Sequence, residues 1–271
     1  MHRVFETRGA RIAAISEGRE TEDVAVLFLH FWGGSGDSWR FVTPLLRDRA
    51  LCMCPDLRGW GGSVATDGRH DLDALADDVA EIAATLNNRR ILLVGHSMGG
   101  KIAQMLVARR VPGLAGLVLV APAPPTPMPV PLEVRREMCR SYATGAGARQ
   151  ALAILGGDGL PAPVAETVMR DMLRGHPDAK RAWTEAAMIQ DLGDMSALRG
   201  LPVSIVAGAE DRVEDASRLR ALYAALAPDA AFQVVDAVAH LLPLQAPGAV
   251  AAAVAGLIER LPGAKGMPGG A

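Results

Sequence analysis

The stretch Ile91-Leu92-Leu93-Val94-Gly95-His96-Ser97-Met98-Gly99-Gly100 sets a serine between glycines at Gly-x-Ser-x-Gly spacing. Four apolar β-formers lead into it and a helix-compatible segment, residues 101–110, leads out. Strand, sharp turn and helix in that order form the context in which such a serine becomes a nucleophile. The turn strains the serine backbone, and glycines two positions to either side relieve the crowding. The hydroxyl then stands at the C-terminal edge of a sheet. Beside it, the free N–H groups of a helix N-terminus can stabilise an oxyanion. Glycine-rich chains produce such a pentapeptide by chance, so its chemical partners must be found independently.

A serine hydroxyl is a weak nucleophile until a base takes its proton and an acid orients that base. Of six histidines, His2 falls at a frayed end, His176 in a loop and His70 in a polar loop before a helix. His96 lies inside the turn, where its side chain is expected to point away from that of Ser97. His240 differs. It follows a strand at 232–235, on a loop at the sheet edge where Ser97 emerges, and reads as the base. For the acid, a strand at 203–207 runs into Gly208-Ala209-Glu210-Asp211-Arg212-Val213. Asp211 is preferred to Glu210, whose neighbouring turn position aims it elsewhere. Asp215 reads as the cap of the next helix. No carboxylate follows the strand that ends at Val120.

The elements that must carry these residues alternate. The segments 3–6 and 11–15, joined at Arg8-Gly9, predict an antiparallel hairpin. Residues 24–29 form a continuous apolar run, as expected of a strand buried on both faces, and end in His30-Phe31-Trp32-Gly33-Gly34. A helix over 38–46 and a strand over 51–54 follow. Leu72, Leu75, Val79, Ile82 and Leu86 mark one face of a helix over 71–86. A strand at 117–120, helices at 217–226 and 247–261, and the strands already named complete the pattern. Such alternation predicts an α/β fold with a mostly parallel, doubly wound sheet.

One segment departs from it. After a proline-rich hinge at 124–131, helical stretches run to about residue 200 without a strand. The expected organisation is a core of 1–122 and 201–262, a helical cap at 123–200 over the sheet edge, and a disordered tail at 263–271. The cap segment holds nine Lys/Arg and nine Asp/Glu, so it shows no bias towards an ionic substrate.

Composition excludes other classes. A chain of 271 residues, 50% hydrophobic, suits one α/β domain with an insertion. A net charge of -2 gives no footprint for nucleic acid or an anionic membrane, and 4% aromatics argue against a base-stacking platform. Cys52, Cys54 and Cys139 have no ligand-type spacing and read as reduced thiols of a cytoplasmic protein. No secretory signal or membrane-spanning run is expected; 248–258 is apolar but too short.

On the elbow, the His30–Gly34 segment, Pro55-Asp56-Leu57-Arg58-Gly59-Trp60-Gly61-Gly62-Ser63, Asp211 and His240, the chain resembles the α/β-hydrolase fold superfamily, capped serine esterase type. The resemblance implies oxyanion donors at the backbone N–H groups of Met98 and Trp32, and a structural role for the Asp56 loop. The family commonly has glycine at positions 31 and 239 and glutamate at 245, where this chain has Phe31, Ala239 and Gln245. Related dehalogenases carry aspartate at the elbow, so Ser97 argues against that chemistry. Related cofactor-free perhydrolases often have proline where Gly33 stands, so the resemblance implies peracid formation as a side activity at best.

The expected function is hydrolysis of an uncharged, largely apolar ester or lactone by Ser97, His240 and Asp211. It needs a small-molecule substrate and no metal, organic cofactor or nucleic acid; the oligomeric state is left open. Two alternatives stand beside it. One is carbon–carbon bond hydrolysis of the meta-cleavage type, and the other a ligand sensor with little turnover.

Overall fold

A computed structural model describes residues 1–86 and 89–261; the tail expected at 263–271 lies outside the described residues. Its strands are β1 (His2–Glu6), β2 (Ala10–Glu17), β3 (Val24–Leu29), β4 (Leu51–Pro55), β5 (Val64–Ala65), β6 (Arg90–His96), β7 (Leu114–Val120), β8 (Val203–Gly208) and β9 (Ala231–Val235). In space they run β1-β2-β4-β3-β6-β7-β8-β9, with the short β5 beside β2. The β1–β2, β2–β4 and β2–β5 pairings are antiparallel, and every pairing from β4 onward is parallel.

The strand order reverses at β3, which has β4 on one side and β6 on the other. In parallel sheets a crevice opens at the C-terminal ends of the strands flanking such a point. The loop after β3 begins at His30 and the turn after β6 holds Ser97, and the last register pair between these strands is Leu29 with Gly95. The two loops therefore leave the sheet side by side.

The helices are α1 (Leu72–Thr85), α2 (Met98–Ala108), α3 (Leu132–Ser141), α4 (Gly145–Ile154), α5 (Ala162–Arg174), α6 (Pro177–Glu185), α7 (Ala216–Leu226), the short α8 (Leu242–Gln245) and α9 (Pro247–Arg260). Asp71 caps α1 by accepting from Ala74 N–H, and Asp215 caps α7 by accepting from Arg218 N–H. One apolar cluster joins one sheet face to α1, α2 and the helices between β7 and β8. A second packs Trp39, Val42 and α9 on the other face.

Two expectations need correction, and one short strand was not expected. The helix over 38–46 is instead two 3₁₀ turns, Gly36–Trp39 and Thr43–Leu45. Pro44 lies inside that span, has no N–H to donate, and disfavours helical geometry at Thr43. The strand β5 has two residues, too few to leave a periodic signal. His2 belongs to β1 rather than to a frayed end.

Between β7 and β8 the described residues form α3 to α6 and short 3₁₀ turns, with no strand. No helix among the described residues is long and apolar enough to cross a membrane.

Candidate active site

Ser97 has φ 53° and ψ -114°, a conformation L-residues rarely hold. What enforces it is close approach. A Cβ on Gly95 would come within 2.4 Å of the Gly99 carbonyl oxygen, and one on Gly99 within 2.2 Å of that of Leu29. The turn is fastened at both ends: Ser97 N–H donates to the Val120 carbonyl at 3.1 Å, and Ala123 N–H donates to the Ser97 carbonyl at 3.0 Å. Helix α2 starts at the next residue, so Met98 N–H lies in its first turn, where amides have no intrahelical acceptor.

His240 sits on the loop between β9 and α8, and Asp211 on the loop after β8. His240 Nδ1 stands 2.7 Å from Asp211 Oδ2, with both side chains buried. A carboxylate accepts, so Nδ1 carries a proton, and in the neutral ring Nε2 keeps its lone pair. The other oxygen, Asp211 Oδ1, accepts from Val213 N–H at 2.8 Å and Glu214 N–H at 3.0 Å. Burial pushes the Asp211 carboxyl upward, but the charge and hydrogen bond of His240 and the two amides hold it below its ordinary value. Glu210 is exposed and makes no side-chain hydrogen bond to His240.

The structure thus joins Asp211 to His240 directly. It does not join Ser97 to His240: among the described residues the half-buried Ser97 hydroxyl has no hydrogen-bond partner. Catalytic contacts of this kind are often long in the unliganded state and tighten around substrate.

The loop after β3 is held by His30, a residue with no role assigned from sequence. His30 Nδ1 donates to the Phe31 carbonyl at 2.7 Å, and its Nε2 accepts from Leu57 N–H at 2.9 Å. Both ring nitrogens are satisfied by one neutral tautomer, and burial holds the His30 pKa below its ordinary value. Phe31 has no positive φ; that conformation falls on Gly33, at φ 95°. Trp32 N–H donates to no acceptor among the described residues. Asp56 joins its own loop to the turn after β3, accepting from Gly62 N–H and Gly36 N–H at 2.7 Å each.

Two features near Asp211 and His240 left no sequence signal. Glu214 is fully buried, and burial raises its carboxyl to about 7 against the pull of Arg218. His96, inside the elbow, turns its ring towards Phe31, Trp39 and His240. Residues flanking Asp211 and His240, among them Glu210, Ala239 and Gln245, share with Gly156 the wall of a cavity of about 300 Å³.

Among the described residues one group of metal-ligating types comes together: donor atoms of His70, His176 and Asp178 lie within 4.8 Å of one another. The two imidazoles stack with planes 6° apart. Their lone pairs therefore lie in parallel planes instead of converging on one point. Cys52 and Cys54 are buried, which pushes their thiols upward, to about 12 for Cys52. Neither is an activated nucleophile.

The model of the alpha/beta hydrolase family matches residues 26–253. A fluoroacetate dehalogenase from a Burkholderia species is 39% identical over 82 residues, which is 28% of this chain and 27% of that protein. Its match thus spans about a quarter of the relative's length. An esterase from Exiguobacterium antarcticum superposes with a TM-score of 0.84 at 18% identity, covering 96% of this chain and all of that one, 100%. A thermophilic esterase from Thermogutta terrifontis gives 0.80 at 23% identity, covering 96% of this chain and 98% of that one. At those identities the likeness establishes the fold.

Proposed function

The chain belongs to the alpha/beta hydrolase family, and on that premise we propose that it is a serine hydrolase of uncharged, largely apolar carboxylic esters. The observation that carries this reading is the buried hydrogen bond between His240 Nδ1 and Asp211, which leaves Nε2 as a base at the sheet edge where Ser97 emerges.

In the proposed reaction Ser97 Oγ attacks the ester carbonyl and its proton passes to His240 Nε2. Negative charge develops on the carbonyl oxygen, within reach of the N–H groups of Met98 and Trp32. Asp211 stabilises the imidazolium that forms. Collapse of the tetrahedral intermediate expels the alcohol, which takes its proton from His240. Water, deprotonated by the same imidazole, then releases the acid. Glu210 has no part in this sequence.

The helical segment 123–200 serves as a cap over Ser97. Its apolar interior is continuous with the core through Trp32, Trp60, Tyr142, Trp183 and Met188. Buried cations in it are engaged by backbone. Arg135 donates to the carbonyls of Thr184 and Glu185, and Lys180 to those of Tyr142 and Leu173. Both facts favour an uncharged substrate. Ester chemistry is preferred to the dehalogenation named for the Burkholderia relative because the elbow residue is serine, which cannot form the carboxylate ester that an aspartate would.

A fluorophosphonate is expected to add once per chain at Ser97, and Ser97→Ala to abolish both labelling and turnover of short-chain p-nitrophenyl esters. Intact mass reads the first and a release assay the second. Labelling that survives Ser97→Ala would overturn the assignment.

A further inference from the structure

We propose that His96 is a positioning residue: its Nε2–H holds the backbone carbonyl of His240 and thereby fixes where the base stands relative to Ser97. The proposal rests on the reading of Ser97, His240 and Asp211 as an acyl-transfer triad.

His96 Nε2 stands 2.8 Å from the His240 carbonyl oxygen, and both residues are buried. A carbonyl only accepts, so Nε2 carries the hydrogen and Nδ1 is bare. His240 holds the opposite tautomer, with its hydrogen on Nδ1 towards Asp211. Burial, reinforced by His240, pushes the His96 pKa down to about 3. His96 therefore remains a neutral donor at neutral pH and sets no second cation beside the imidazolium that the proposed reaction forms.

The anchor is needed because of where His240 lies. Its loop joins β9 to α8 with no regular structure. Among the described residues no backbone N–H reaches the His240 carbonyl. The Asp211 bond fixes the imidazole at one atom, about which the ring can still swing. A second bond on the residue's own carbonyl fixes its backbone. Together they leave Nε2 one place to stand.

His96 is itself held from several sides. Its ring centroid lies 5.2 Å from that of Phe31, 5.1 Å from that of His240, and 6.3 Å from that of Trp39. One imidazole thus adjoins the nucleophile in the chain, touches the oxyanion loop through Phe31, and holds the base. Packing alone does not favour histidine here. Its Nδ1 is buried without a partner, a penalty that an apolar side chain of similar size would not carry. The Nε2–H bond is what offsets it.

The test compares His96→Gln, which keeps an N–H donor at the reach of Nε2, with His96→Met, nearly the same shape without one. Three readouts are taken: kcat and KM on a short-chain p-nitrophenyl ester, the low-field proton resonance of His240 Nδ1–H, and Tm. His96→Met is expected to lower kcat about 10- to 100-fold with KM little changed, and to broaden or lose the resonance. His96→Gln is expected to recover most of both. Wild-type kcat and resonance in a folded Met variant would overturn the proposal. So would a Gln variant that folds with wild-type Tm yet loses kcat as far as Met. Should Met not fold, the Gln variant decides alone by the same criteria. If the wild type turns over no ester, the hydrolase reading has failed, and the resonance still judges the role of His96.

Discussion

Strands β3, β4 and β8 bury every residue, whereas α3 buries a single side chain, that of Arg135. The core is a sheet of apolar runs sealed on both faces. The segment from 123 to 200 shares part of the apolar core and is further attached through aromatic stacking and polar contacts. Tyr142 stacks on Trp32 with ring centroids 3.9 Å apart and donates its hydroxyl to the Trp32 carbonyl. Ser35 donates to Asp171, and Lys101 to the carbonyls of Thr126 and Met188, one at each end of the segment. His176 N–H donates to the Gly59 carbonyl. The difference divides the labour. On the proposed reading, the reacting groups stand just past the ends of rigid strands, and access is controlled by a segment whose attachment can loosen without unfolding the sheet.

Breaking the rigid side of this comparison gives the largest effect. Asp211→Asn removes the acceptor that fixes the His240 tautomer while leaving the loop geometry nearly intact. It is expected to cut kcat by up to about 10⁴, with KM changed only a few-fold in steady-state kinetics on small esters. Near-full activity in that variant, with loss in Glu210→Gln, would transfer the role of the acid to Glu210.

The seam between the two regions is tested at Gly33. There φ is 95°, and a Cβ would stand 2.5 Å from the Tyr142 ring. Gly33→Ala both strains the loop after β3 and pushes α3's neighbour Tyr142 off Trp32. A loss of about 10- to 100-fold in kcat/KM is expected, approaching that of one oxyanion donor. Phe31→Gly, two residues earlier, is expected to change kcat by less than about tenfold. Phe31 holds an ordinary φ, so glycine there relieves no strain and removes only the packing on His96. A gain near 10² would show that Phe31 obstructs the loop.

These contrasts also explain what could be read in the sequence. The elbow is local: strand, turn and helix fall within a few residues, and their residue types are set by backbone sterics. Asp211 and His240 each follow a strand end closely, so topology alone brings them to one edge, and their hydrogen bond is present. The alternating pattern likewise reveals the parallel sheet. The clamps were not legible. His96 meets a carbonyl 144 positions away, and His30 bonds the Leu57 amide. Neither partner carries a side-chain signal, because one is a carbonyl and the other an N–H that every residue but proline possesses. The 3₁₀ turns at 36–45 failed for another reason. Apolar spacing at Trp39, Val42 and Leu46 mimics a helix face, but Pro44 within the span interrupts helical hydrogen bonding.

The smallest expected effect concerns the junction itself. Lys101 is fully buried on α2, with Nζ at 3.4 Å from the Thr126 carbonyl and 3.3 Å from that of Met188. Such long contacts repay little of the desolvation of an ammonium. Burial accordingly lowers its pKa to about 8, with the charges of Asp191 and Glu214 opposing. In the unfolded chain the group titrates near its ordinary value of 10.5. Between pH 8 and 10.5 the unfolded chain therefore binds a proton that the folded chain does not, so stability must rise with pH across that window and be lost again as pH falls through 8. Lys101→Met removes this contribution, on the order of 1–3 kcal/mol. Denaturant melts at pH 8 and 10 should show a smaller rise in the variant than in the wild type, and the variant at pH 7 at least as stable. Hydrogen exchange should quicken at 124–131 and 186–190 while β3, β6 and β7 stay protected. Parallel stability curves for the two proteins would mean that Lys101 is better solvated than its burial indicates. Unchanged exchange at both ends of the segment would mean that apolar stacking at Trp32 and Tyr142, rather than the buried ammonium, holds the insertion to the sheet.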